Sequence, residues 1–211
     1  MFEHVLNEAN KSKIFDTIHL STENFSKLKK LKRLCLKKKF KNKVEANFIR
    51  PKNLAYDNVP MFKVIDYIVK NYNQQDIIFD KFCLIYSTAI FIKSNDFIKI
   101  FTSFKKINNK NLKHGISLQT ISKFPAPLQW SYNLKKNGIL IPKFKNSFKN
   151  TSDKFNKAYF DTGGLHFFNL KFLSRKYKKK KYGHIVNYVK SIDVDFKEDL
   201  ETIKYLKKKL N

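Results

Sequence analysis

Glycine and proline are scarce in this 211-residue chain, five of each, and there are only two cysteines. Those numbers exclude collagen-like, mucin-like and disulfide-scaffold proteins. No apolar run approaches the roughly 18 residues that a membrane span requires. The best candidate, 82–92, is interrupted by Tyr86, Ser87 and Thr88. The first eight residues lack a basic stretch followed by an apolar one, so the reading is a cytoplasmic protein with no membrane partner. Cys35 and Cys83 show no metal or redox spacing and read as idle thiols. Arginine is rare too: Arg33, Arg50 and Arg175 are the only ones, and the rest of the 44 basic residues are Lys.

Acidic residues number 17, which leaves a net charge of +27. A polyanion partner is the first inference from such a charge. The shortage of Arg argues against it, because Arg is the side chain that grips phosphates and guanine edges in two-pronged fashion. Lys, Asn, Ile and Phe dominate the chain, as AT-rich coding would also produce. The reading is therefore a compositional bias and no specific nucleic acid. The stretch 175–182, with tyrosines among lysines, is the best nucleic-acid candidate and reads more simply as a solvated loop. Hydrophobic residues at 42% and aromatics at 15% suffice for a buried core and exclude a disordered chain.

Helical and strand patterns alternate along the first half. Phe2, Val5, Leu6 and Ala9 recur at helical spacing, and a short strand follows at 17–21. Leu28, Leu31, Leu34 and Cys35 mark a Lys-coated helix before a strand near 44–49. Asp57 or Asn58 is placed to cap a helix with Pro60 in its first turn. Residues 82–86 are apolar without alternation, as in a strand covered on both faces. Ser94-Asn95-Asp96 opens the next helix. The second half reads as strands at 115–121, 129–134, 138–141, 165–169 and 185–189, then a helix over 197–210. Together these predict one α/β domain over 1–211, with a doubly wound, mostly parallel sheet flanked by helices.

Several groups at strand ends carry chemical potential, since open α/β sheets hold ligands there. Asp193 and Asp195 can converge on one hard cation; alternatively Asp195 caps the last helix and Asp193 is solvated. Asp161-Thr162-Gly163-Gly164 holds adjacent glycines, which suit either close approach of backbone to a ligand or a plain turn. Ser87-Thr88-Ala89 offers hydroxyls after the 82–86 strand, or a helix cap. Arg50 reads as a phosphate or carboxylate contact, or as a surface residue. Phe124-Pro125-Ala126-Pro127-Leu128-Gln129 is a rigid loop suited to lining a pocket or turning the chain. The five histidines have no metal-ligand spacing.

In order, the segments 15–23, 50–55, 83–89, 124–129, 158–163 and 193–199 resemble those of the acylneuraminate cytidylyltransferases, most closely the pseudaminic acid branch. The resemblance implies a nucleotide-diphospho-sugar transferase-like, Rossmann-like fold. It also implies a Mg²⁺-assisted transfer of CMP from CTP to a nonulosonic (sialic-acid-like) sugar acid, with pyrophosphate released, by a homodimer. On that basis Asp193 and Asp195 are the catalytic, metal-binding carboxylates. Arg50, Tyr86, Ser87, Thr88 and Ala89 lie on the nucleotide side, and Phe124, Pro125, Gln129, Tyr159, Asp161 and Gly163 on the sugar side. The sequence departs from the family pattern at Ile90, Trp130 and Gly164, where Pro, Arg and Gln are usual.

A larger departure is at the start. Family members open with a strand and a Gly-rich, Arg/Lys-containing loop that cradles the CTP phosphates, whereas this chain opens in the helix that follows. The expectation is an N-terminally truncated domain whose Met1 is not the natural start or whose reading frame is broken. Both neighbours of the first strand would then lack a ladder partner, and the chain would be unstable and poorly active. Two alternatives stay open: a non-catalytic remnant of this fold, and a basic nucleic-acid-binding protein.

Overall fold

The computed structural model describes residues 1–38, 43–194 and 196–210. The molecule is built around β7 (Tyr159–Asn169), which is flanked on one side by β3 (Lys81–Ile85) and on the other by β4 (Gly115–Lys123). β8 (Lys179–Ile185) lies beyond β4 and completes a four-stranded sheet of order β3-β7-β4-β8. β7 runs antiparallel to both its neighbours and β4 runs parallel to β8, so three strands share a direction and one opposes them. A separate parallel pair joins β1 (Thr17–His19) to β2 (Lys43–Glu45), and a hairpin joins β5 (Tyr132–Leu134) to β6 (Leu140–Pro142).

Strand alternation puts neighbouring side chains on opposite faces, and β7 uses this to build two cores. Phe167 lies at ring-centroid distances of 5.6 Å from Phe101 and 5.8 Å from Phe104, both on α4 (Ser94–Asn109). The same face receives Phe15 and Leu6, the latter from α1 (Phe2–Ser12). Phe168 stacks on Phe82 of β3 at 5.4 Å and packs with Ile65 and Val69 of α3 (Met61–Asn73). Phe172 of the short helix α5 (Leu170–Leu173) joins that second cluster. Both Phe167 and Phe168 are fully buried, each contributing roughly 2–3 kcal/mol in transfer free energy. Helices on both faces of one sheet are what the alternating pattern predicts.

Helix limits follow local chemistry. α2 (Phe25–Lys38) starts after Asn24, whose side-chain oxygen accepts from the Lys27 N–H at 2.9 Å. α4 opens with a capping box in which Asp96 Oδ2 accepts from the Lys93 N–H at 3.0 Å. α3 begins at Met61 with Pro60 as its N-cap, so Asp57 and Asn58 do not cap it. The helix expected over 197–210 is α6 (Lys197–Leu210), held by Ile203 against Val5, Ile90 and Phe91.

Other expectations shift. Residues 128–130 form a 3₁₀ turn rather than the start of a strand, because two prolines precede them. The strand expected at 165–169 starts six residues earlier and absorbs both glycines. The strand expected at 185–189 is instead β8, displaced into the Lys-rich stretch, and Tyr188–Ser191 is a 3₁₀ turn. β8 is an edge strand with alternately exposed residues, and lysine on an edge is a common defence against unwanted pairing. Burial pushes the Cys35 and Cys83 thiols above their ordinary range, which suits structural thiols.

β1 and β3 each end a sheet, and neither is hydrogen-bonded to the other. What holds the β1–β2 pair to the body is a polar chain through α3. Tyr72 Oη donates to Glu45 Oε2 at 2.8 Å and lies 3.1 Å from His19 Nδ1, while the His19 ring stacks on Phe48. Burial drives the His19 pKa down to about 4, although the Glu45 carboxylate pulls the other way. The folded-state value lies below the unfolded one, so the unfolded chain takes up the proton first. Stability from this group is complete above about pH 6.5 and is lost as pH falls towards 4, on the order of 3 kcal/mol at most. Urea midpoints measured between pH 7 and 4 are expected to fall across that window, and a His19→Gln variant to flatten this part of the profile.

Candidate active site

The site lies where β3, β4 and β7 end together, and a bulge in β7 shapes it. Gln119 pairs with His166 and Ile121 with Asp161, so the register slips between them and 162–165 bow out of the ladder. Two buried threonines satisfy the displaced backbone. Thr162 Oγ1 donates to the Thr120 carbonyl at 3.1 Å and lies 2.7 Å from Thr120 Oγ1. The Leu165 N–H donates to Thr120 Oγ1 at 3.1 Å, and the Gly164 N–H to Thr162 Oγ1 at 3.3 Å. Bulges of this kind re-aim side chains at functional edges.

The re-aimed residue is Asp161. Its Oδ2 accepts from Gln119 Nε2 and its Oδ1 from the Gly163 N–H, both at 3.0 Å. Gly163 has φ +60°, a conformation that other residues adopt at a cost. A methyl group added there would sit 3.2 Å from Asp193 Oδ2. Asp161 and Asp193 therefore flank one glycine backbone, brought together from positions 32 residues apart in the chain. Asp193 is fixed by its own loop: its Oδ1 accepts from the Val194 N–H at 2.8 Å. The preceding turn is clamped to the start of α4 by an ion pair of 2.6 Å between Lys190 Nζ and Asp96 Oδ1. Neither Asp161 nor Asp193 forms a salt bridge among the described residues, in a chain with 44 basic side chains.

Tyr86, at the end of β3, is the third member. Its N–H donates to the Gly164 carbonyl at 3.2 Å. Burial first, then the negative charges of Asp161 and Asp193, raise its phenol pKa. All three groups thus share one electrostatic environment. Asp193 also borders a cavity of about 280 Å³ with Phe160, Ile192, Phe196 and Asp199.

The remaining expected residues divide. Ala89 is buried beneath Gly164, and Ser87 borders a larger cavity together with Tyr86 and Arg50. Thr88 contributes its carbonyl to the turn that follows β3. Phe124 packs on Phe160 at 5.2 Å, and Tyr159 pairs with Lys123, which puts both on the strand ends beside Asp161; Pro125 follows directly. Arg50 Nη2 is 2.8 Å from Glu23 Oε2, so an internal carboxylate takes one face of the guanidinium. Its Nε is buried without a partner. Gln129 is held in the 128–130 turn, where its carbonyl accepts from Ser147 Oγ at 2.6 Å. Asp195 lies outside the described residues. Gln119 and Thr120 stand outside the expected site residues, because mid-strand polar residues give no signal until the register is known.

Two curated pseudaminic acid cytidylyltransferases from strains of Campylobacter jejuni are each 25% identical to the chain, matching 99% of it and 85% of their own length. The chain resembles the pseudaminic acid cytidylyltransferases. No family model matches it. Among solved structures, 4-diphosphocytidyl-2C-methyl-D-erythritol synthase from Anaerococcus prevotii superposes with a TM-score of 0.61 at 13% identity, over 98% of this chain and 88% of that one. A CMP:2-keto-3-deoxy-manno-octonic acid synthetase complexed with CTP gives 0.59 at 10% identity, over 100% and 88%. At such identities these two show the fold alone: Rossmann-like, as found in nucleotidyltransferases.

The shared environment is open to measurement. Tyr86 is expected to titrate above the ordinary tyrosine range, and Asp161→Asn and Asp193→Asn are each expected to bring it down. Absorbance or NMR titration of the phenol, with Tyr86→Phe as the assignment control, checks this.

Proposed function

We propose that the chain is a CTP-dependent cytidylyltransferase that transfers CMP to a nonulosonic sugar acid, with pseudaminic acid as the preferred acceptor. The observation that carries this reading is the pair Asp161 and Asp193 on either side of Gly163, beside Tyr86 and without a salt bridge among the described residues. In so basic a chain, carboxylates without an internal cation are suited to a cation brought in with a substrate. Their oxygens are the hard donors that Mg²⁺ prefers. Asp193 and Asp195 would hold the ion, with Asp161 close by. When bound, Mg²⁺ neutralises triphosphate charge and stabilises the leaving pyrophosphate.

The chain's own residues do the positioning. Ser87 and Thr88 present hydroxyls where β3 ends, with the small Ala89 following them. Gly163 leaves room for the substrate beside Asp193. Phe124, Pro125 and Tyr159 form the apolar wall on the acceptor side, with Gln129 further along the same loop. Arg50 keeps one donor, Nε, for an anionic group. The similarity to enzymes named for pseudaminic acid supports that acceptor over other 2-keto sugar acids.

The test is pyrophosphate release from CTP with pseudaminic acid, N-acetylneuraminic acid or 3-deoxy-manno-octulosonic acid as acceptor. Pseudaminic acid is expected to give the highest kcat/KM, and Asp193→Asn and Asp195→Asn each to lose about 100-fold or more. Turnover that survives both substitutions would overturn the assignment.

We also propose that the protein is a homodimer through the β5–β6 hairpin. That hairpin turns on Gly138, at φ +83°, and carries Leu134 at 71% exposure, Leu140 at 55% and Tyr132 at 42%. Contiguous exposed apolar residues of this kind mark interaction surfaces. Analytical ultracentrifugation is expected to show a dimer that Leu134→Lys with Leu140→Lys converts to a folded monomer.

A further inference from the structure

The strand β8 forms one edge of the four-stranded sheet, and its surroundings carry charge of a single sign. Between Asp96 and Asp153 the chain holds no acidic residue, and between Asp161 and Asp193 it again holds none. The pairing of β4 with β8 brings these two stretches side by side. Lys179, Lys180 and Lys181 open β8, Lys178 precedes them, and Lys110 and Lys113 lie exposed in the turn before β4. Their contacts are with neutral groups. Lys180 Nζ donates to Asn111 Oδ1 at 2.9 Å, and Lys179 Nζ sits 5.2 Å from the centre of the Phe172 ring. Among the described residues, none of the lysines at 178–181 forms a salt bridge. Burial first, then Lys180 and Lys178, lower the pKa of His114, as a positive local potential requires.

Each property narrows the partner. Among the described residues β8 pairs with β4 alone, so seven residues of extended backbone keep the N–H and C=O groups of one edge unmatched. Such an edge is a template for a further strand. A second copy of this chain brings the same lysines and nothing to neutralise them, and like charges on facing strands are destabilising. A single-stranded nucleic acid needs a row of aromatic faces for its bases. Tyr182 instead packs against the core, and the Lys171 ammonium already lies 5.5 Å from the centre of the Tyr177 ring. An acidic, extended polypeptide satisfies both the backbone and the charge. Strand alternation puts Lys179 and Lys181 on one face and Lys180 on the other, so acidic side chains are matched on both faces there. The second half of β8 is neutral and ends in Ile185, which is 59% exposed and offers an apolar contact.

We propose that the β8 edge is a docking site for an extended segment of another protein, acidic where it faces Lys179, Lys180 and Lys181 and apolar where it faces Ile185. The segment adds to the sheet beside β8 as its next strand. The lysines act as a filter: they turn away further copies of this chain and admit a strand of opposite charge. Ile185 pairs with Ile121 and Ile121 with Asp161, so the apolar end of the docked segment lies at the same end of the sheet as the candidate active site.

The probes are two synthetic peptides, Glu-Glu-Glu-Thr-Val-Thr-Val and the same residues in reverse order, which cover both strand directions; each is added to the full chain. One control replaces the glutamates with Gln. A second replaces the two residues next to the glutamates with Pro, removing ladder donors of both orientations. One of the two probes is expected to bind saturably and to slow amide exchange at 179–185 by about tenfold or more. Both controls are expected to bind about tenfold more weakly or worse, and the affinity of the probe to fall as salt is raised. Lys179→Glu with Lys181→Glu, checked for folding by circular dichroism, is expected to lose the Glu peptide and to bind its counterpart with Lys in place of Glu. Absence of saturable binding by both probes overturns the proposal, as does a charge reversal that leaves the preference unchanged. Equal binding of the Pro control overturns it too, because charge alone would then be responsible. Protection confined to β3 or to the β5–β6 hairpin, or stronger protection of 179–185 by a single-stranded oligonucleotide than by either peptide, likewise overturns it.

Discussion

The pairing of β7 with its two neighbours is the constraint on which the rest of this molecule depends. It places Phe167 and Phe168 on opposite faces of one strand, so that a single backbone anchors both helical layers. α1 and α4 are held through Phe167, and α3 and α5 through Phe168. Asn169, the next residue, continues the pattern with polar groups. Its side chain accepts from the Ile116 and Phe172 N–H groups at 3.0 Å each and donates to Asn108 at 2.8 Å. Strand, helix start and neighbouring strand are thereby fixed at one point, and little freedom remains in how β4 sits against β7.

That same pairing creates the site, because it cannot stay regular. The register shift between Gln119 and Ile121 leaves Asp161 exposed near the start of β7, and Thr120 and Thr162 make the shift tolerable by bonding the displaced amides. Gly163 and Gly164 serve one purpose in this setting. One takes a positive φ beside Asp193, and the other leaves room for the Thr120 and Thr162 hydroxyls, each 3.3 Å from where a Cβ would stand. A bulge with satisfied backbone groups is rigid, which suits a place that holds Asp161 and Asp193 against one glycine backbone.

The charge of +27 has a modest place in this picture. Lysines concentrate on exposed positions such as the edge strand β8, where they discourage pairing, and a few form local bonds such as Lys190 with Asp96. The acidic residues are fewer and more consequential. Glu45 ties β1–β2 to α3, Asp96 caps α4 and clamps the 188–191 turn, and Asp161 and Asp193 flank Gly163 at the candidate site.

Much of the architecture was legible in residue order alone. Alternation of apolar spacings between 2 and 86 marked three helices and three strands, and the scarcity of Gly and Pro left few places for turns, so α/β order followed from periodicity. The order of six short segments carried the resemblance, and Asp193, Tyr86 and Asp161 were visible as residues at strand ends. Sequence could not show that Asp161 and Asp193 meet across Gly163, because that depends on a bulge whose register arises only when β4 and β7 pair. Nor could it place β8 in the lysine run, since an edge strand needs no apolar alternation to be held by its one neighbour. Local spacing determined which elements form and in what order. Tertiary pairing decided which strand ends coincide, because hydrogen-bond register is a property of two strands together and is written in neither one alone.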